Sequence, residues 1–201
     1  MTSALGRTNM SIISRFHYLL WIPVAYFVLY IISHLPLAWG HRLLFPDTPY
    51  ALLIFLPAGL RLMTTWYFGA RAIFPLLAGG LVTLWWYGHP VPDTALAQSM
   101  IGATAAFVSF ELFRLCGFNL YASAASQTEQ LIQPHWRNLY LVGLFSSMIN
   151  GLLSGVLFHA HLEADNFVPF VVMYIAGDMI GILVVLLVLM AAMRMVKTAE
   201  P

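Results

Sequence analysis

The chain has 201 residues, 61% of them hydrophobic and 8% charged, with a formal net charge of +1. Soluble domains carry about 25% charged residues, so a chain this poor in charge cannot clothe a water-facing surface, and lipid must be its main solvent. The net charge says nothing about nucleic acid, but no Lys/Arg cluster appears and no nucleic-acid partner is expected; the single cysteine, Cys116, excludes an internal disulfide and a thiolate metal cluster.

A membrane helix needs about 20 apolar residues. Read in chain order, the sequence predicts an all-α membrane protein, a six-transmembrane-helix bundle forming one domain. Its spans are expected at 16–35, 50–69, 72–88, 95–117, 138–159 and 168–193. The first apolar stretch is too long for a signal-peptide core and lacks a small-residue cleavage site after it. The third span is short and must stand nearly upright or thin the bilayer. Pro23, Pro57 and Pro75 fall inside spans, where neighbouring helices can satisfy the freed carbonyls.

Orientation follows from the basic residues. With the N-terminus inside, Arg7, Arg15, Arg71, Arg114, Arg137, Arg194 and Lys197 are cytoplasmic, and only Arg42 is outside. Both termini are therefore expected in the cytoplasm. Trp39, Trp85 and Trp86 fall near the outer interface, and Trp66 and Trp136 near the inner one, as in aromatic belts. The loop at 118–137 reads as either a plain connector or a docking surface for a cytoplasmic protein partner. No kinase, cyclase or nucleotide-binding loop is expected at either end.

Small residues recur at Ser147, Gly151 and Gly155 on the fifth span and at Gly177 and Gly181 on the sixth; Gly79 and Gly80 lie mid-span on the third. Such faces let helices approach closely. Packing within one bundle and a homodimer interface both fit them.

Three polar residues lie deep in the membrane. Arg61 on the second span and Asp178 on the sixth are each about ten residues in from outside, and Asn150 on the fifth about twelve in from inside. At 1.5 Å per residue all three reach roughly 15–18 Å, the middle of the bilayer. Charges there cost at least about 2.5 kcal/mol each and usually have a partner or a task. The group reads either as an inert structural ion pair or as the floor of a ligand-binding or coupling site. Glu111, nearer the cytoplasm, shares a helix face with Arg114 and is expected to pair with it; the sharper reading makes it a titratable carboxylate coupled to signalling.

His34, His41, His89, His159 and His161 fall on or near the outer face. His159 and His161, followed by Glu163 and Asp165, carry metal-ligand chemistry and are the candidate metal ligands; the imidazoles also fit a pH-responsive outer face. No Ser-His-Asp motif, HExxH or phosphate loop occurs, so no catalytic residue is assigned and the chain is not expected to be an enzyme. No cofactor is implied.

Two stretches carry a resemblance. The first is Phe55-Leu-Pro-Ala-Gly-Leu60, continued by Phe68-Gly-Ala-Arg71, Pro75 and Gly79-Gly80; the second is Gly177-Asp178-Met-Ile-Gly181. Together they resemble the membrane-associated sensor domain of the first MASE type, over about 45 residues. Leu56 and Arg61 depart from the aromatic or apolar residues of that pattern. The resemblance implies a bacterial cytoplasmic (inner) membrane protein, a stand-alone sensory or regulatory module that binds a small ligand or partner and signals to a separate protein. It brings no ligand with it, but its second motif contains Asp178, and Arg61 directly follows the first. The size also suits the substrate-binding component of a vitamin-type transporter or an assembly subunit of a larger membrane complex.

Overall fold

The computed structural model describes residues 3–34, 52–87, 94–122, 136–159 and 167–199. Among these the regular structure is entirely helical: α1 (Ser3–His34), α2 (Leu56–Phe68), a short 3-10 turn (Gly69–Ala72), α3 (Ile73–Tyr87), α4 (Ala95–Leu115), α5 (Trp136–Phe158) and α6 (Phe167–Ala199). Five stretches are long and apolar enough to cross a membrane: His17–His34, Leu56–Trp86, Ala95–Leu115, Trp136–Phe158 and Phe167–Met195. The outward faces are apolar, with Leu20, Phe74, Val156 and Val188 more than 60% exposed. Water would not tolerate so continuous a hydrophobic coat, and the chain fits a multi-pass membrane protein.

The second and third expected spans take a different form. Neither α2, with 13 residues, nor α3, with 15, meets the length of a full span alone; only the joined stretch Leu56–Trp86 does. Between them Gly69 sits at φ 58, a left-handed value that suits glycine, and the chain reverses there. Tyr18 of α1 stacks on Phe68 and Tyr30 meets Phe55 edge-on, so α2 runs antiparallel to α1. Phe27 meets Trp86, while a Cβ at Gly79 would lie 2.9 Å from Tyr26 Cβ. These contacts make α3 parallel to α1.

Residues 52–55 are not helical, although span 50–69 was expected to be; 50 and 51 lie outside the described residues. Segment 52–55 crosses the small-residue face of α6. A Cβ at Gly177 would collide with the Leu52 carbonyl, and one at Gly181 with the Phe55 carbonyl. The Phe55 N–H donates to the Gly177 carbonyl at 3.0 Å. These two glycines therefore receive a backbone segment of the same chain, not a helix face. The start of α2 is closed from α1: the Leu56 N–H donates to Ser33 Oγ at 3.1 Å, and Ser33 Oγ donates to Leu29 O at 2.9 Å. Pro57 lies in the first turn of α2, where a missing N–H has no intrahelical partner to lose.

α5 and α6 form an antiparallel pair. A Cβ at Gly143 would lie 3.0 Å from Ile182 Cδ1, at Gly151 3.0 Å from Ile175 Cγ1 and at Gly155 2.7 Å from Val171 Cγ2. The small face of α5 is thus filled within the bundle. The core is made by Leu62, Phe110, Val142 and Ile182 on α2, α4, α5 and α6, and by Ile22, Tyr26, Leu76 and Ala103 on α1, α3 and α4.

Candidate functional site

Arg61 projects from α2, Asp178 from α6 and Asn150 from α5, and the packing of these helices brings the three side chains together. Arg61 Nη2 lies 3.2 Å from Asp178 Oδ1 and 3.4 Å from Oδ2. Asn150 Nδ2 donates to Asp178 Oδ2 at 2.8 Å. Exposure is 5% for Arg61, 3% for Asp178 and 1% for Asn150, so the charges meet away from both lipid and water. The carboxylate accepts from two helices while belonging to a third.

The surroundings make room for the guanidinium. On α4 a Cβ at Gly102 would lie 2.7 Å from Arg61 Nη1, so glycine at 102 vacates the volume that the guanidinium fills. The Phe55 ring lies under the guanidinium, 5.2 Å from centroid to Cζ, close enough for a cation–π contact. Tyr26 of α1 and Tyr174 of α6 are near enough to interact electrostatically with both charges.

Three side chains without an assigned role in the sequence sit one helical turn from this centre. Gln98 of α4 is four residues before Gly102, Ser154 of α5 is four after Asn150, and Tyr174 of α6 is four before Asp178. Residues four apart share a helix face, so three helices contribute a second polar layer over the first. Gln98 Nε2 donates to Tyr174 Oη at 2.7 Å, and Ser154 lies beside the same phenol. Gln98 Oε1 and Asn150 Oδ1 are buried with no hydrogen-bond partner among the described residues. The signal that could have found this layer is the four-residue spacing of polar positions from Asn150 and Asp178.

Glu111 does not join the deep group. It pairs with Arg114 three residues on, as its spacing predicts, and accepts a 2.9 Å hydrogen bond from Tyr121 Oη. Tyr121 stacks on Phe110 with centroids 4.9 Å apart, folding the chain after α4 back onto the bundle. Burial, then the hydrogen bond to Glu111, pushes the Tyr121 phenol well above its ordinary range. His159 is exposed at the end of α5, edge-on to Phe167 at 5.9 Å. His161, Glu163 and Asp165 lie outside the described residues, as does most of the loop at 118–137. Among the described residues no three His, Cys, Asp or Glu side chains gather as a metal site.

The chain matches no family model, no curated protein and no solved structure.

Proposed function

We propose that this chain is a sensory or regulatory module of a bacterial cytoplasmic membrane, and that Arg61, Asp178 and Asn150 are its switch. The observation that supports this reading is an Arg–Asp pair buried across helices α2 and α6, with α5 holding the same carboxylate. Buried pairs are weak stabilisers but strong constraints, because breaking one leaves an uncompensated charge. A centre that joins three helices therefore has two distinct packings, made and broken, and a signal that favours one over the other shifts all three helices. The resemblance of the Gly177–Gly181 segment, which carries Asp178, supports the sensory part of this reading.

In this reading the chain crosses the membrane six times with both termini in the cytoplasm. α2 is about 20 Å long and α3 about 22 Å, short of the roughly 30 Å hydrocarbon core. The non-helical segment 52–55, which lies along α6 from Gly177 to Gly181, adds about 6 Å to α2. Non-helical backbone at membrane depth is tolerated where protein covers it, and α6 covers this one. The positive residues then collect on the cytoplasmic side, with Arg71 exposed at the turn between α2 and α3.

Photocrosslinking in native membranes tests the function. Crosslinkers placed at 70, 118 and 194 should capture one soluble signalling protein, and its yield should change when Arg61→Leu and Asp178→Leu are combined. Capture of an ATPase pair together with substrate uptake would assign the chain to a transporter instead. Capture of membrane subunits alone would assign it to a complex.

A further inference from the structure

We propose that Asp178 is a proton-binding site, reached from the outer face through the polar layer of Gln98, Ser154 and Tyr174. The inference rests on the reading of Arg61 and Asp178 as the switch and supplies its input.

The layer lies on the outer side of the pair; on the inner side Thr65, four residues after Arg61, is buried with its hydroxyl unpartnered among the described residues. Gln98 is near the start of α4, Ser154 near the end of α5 and Tyr174 near the start of α6, and the positive-inside orientation places those ends outside. From there toward the middle, Gln98 Oε1 and Asn150 Oδ1 are buried without partners among the described residues, Ser154 lies beside the Tyr174 phenol, and Asn150 touches the Asp178 carboxylate. Ser154 is 0% exposed and Asn150 1%. Buried polar atoms are nearly always partnered, by protein or by water. Both amide oxygens are acceptors, and the serine hydroxyl can accept as well as donate. The species that suits such a row is small and rich in hydrogen-bond donors, which describes water carrying an excess proton. An anion would meet the wrong chemistry.

The groups facing Asp178 are Arg61 from α2, Tyr26 from α1, Tyr174 from its own helix and the neutral Asn150 from α5; α4 offers Gly102 and Gln98, neither titratable. Asp178 is thus the carboxylate of this cluster. In the step, hydronium gives its proton to an Asp178 oxygen: an O–H bond forms there and neutral water leaves. The carboxyl is then uncharged, Arg61 keeps its charge without a counter-ion, and the pair that ties α2 to α6 is released. Loss of the proton restores it. The hydrogen bond from Gln98 to Tyr174 closes the outer end of the row and sets how fast protons arrive.

The test is infrared spectroscopy of the full chain in vesicles, read at the protonated-carboxyl stretch after a jump to acid at the outer face. The wild type should develop the band, Glu111→Gln should keep it and Asp178→Asn should lack it. Aspartate carrying a carbon isotope, incorporated into the unsubstituted chain, assigns the band should Asp178→Asn not fold. Asp47, Asp93 and Asp165 lie outside the described residues, and the band that Asp178→Asn removes separates Asp178 from them. Gln98→Ala should speed the appearance of that band several-fold without changing its final height. The absence of that band throughout the range in which the chain stays folded would overturn the proton site. An unchanged rate in Gln98→Ala would overturn the route. In either case, persistent coupling between Arg61 and Asp178 in a double-mutant cycle would show that the switch itself survives.

Discussion

Removing one member of the Arg61–Asp178 pair should destabilise the bundle far more than removing both. Arg61 reaches the carboxylate with one nitrogen, at 3.2 and 3.4 Å, and Asn150 adds a bond at 2.8 Å. With Asp178→Leu the guanidinium remains 5% exposed and loses its counter-ion, keeping the Phe55 face against it. Breaking a buried pair costs about 3–5 kcal/mol in soluble proteins; snorkelling toward an interface lowers this in a membrane. The Gly102 and Phe55 contacts restrain such an escape, so about 3 kcal/mol is expected for each single variant. In Arg61→Leu/Asp178→Leu no charge is left, and replacing a buried pair with apolar residues is often close to neutral. What persists is the loss of the Asn150 bond, about 1 kcal/mol. The coupling energy is then about 5 kcal/mol, from two singles of about 3 against a double of about 1. The assay is reversible unfolding in mixed micelles, followed by helical circular dichroism. Additive losses, with a coupling energy below about 0.5 kcal/mol, would refute the reasoning.

Gly181→Ala should destabilise by about 1–3 kcal/mol in the same assay, because the added carbon meets the Phe55 carbonyl and no flexible side chain can yield; an alanine tolerated there would mean that segment 52–55 does not lie on α6. Ser33→Ala removes the acceptor for the Leu56 N–H and should lower stability by about 1 kcal/mol, whereas Ser33→Thr should recover part of it. In a Cys116→Ser background, cysteines at 40, 90 and 163 should react with an impermeant reagent from outside, and those at 70, 128 and 198 only from inside; outside reaction at 128 would contradict six crossings. Zinc titration of the purified chain should show no stoichiometric uptake at His159 and His161, since His159 packs against Phe167; uptake abolished by His159→Ala/His161→Ala would establish a metal site.

Some of this architecture follows from the chain alone. A composition with 8% charge leaves only lipid as solvent, and a fixed rise per residue turns position in a span into depth. Depth along the span alone therefore puts Arg61, Asn150 and Asp178 at one level. The pairing of Glu111 with Arg114 was legible for a similar reason, since three residues along one helix fix a distance without reference to the rest of the fold. Depth along an axis says nothing about rotation around it or about the neighbour met there. Packing alone decided that Gly177 and Gly181 receive the backbone of 52–55, that α2 begins at Leu56 under Ser33, and that Gly102 gives its volume to Arg61. It also decided that Gln98, Ser154 and Tyr174 meet over the ion pair. Each of these depends on which faces of separate helices turn toward one another, and that is set by the filling of space among all of them at once.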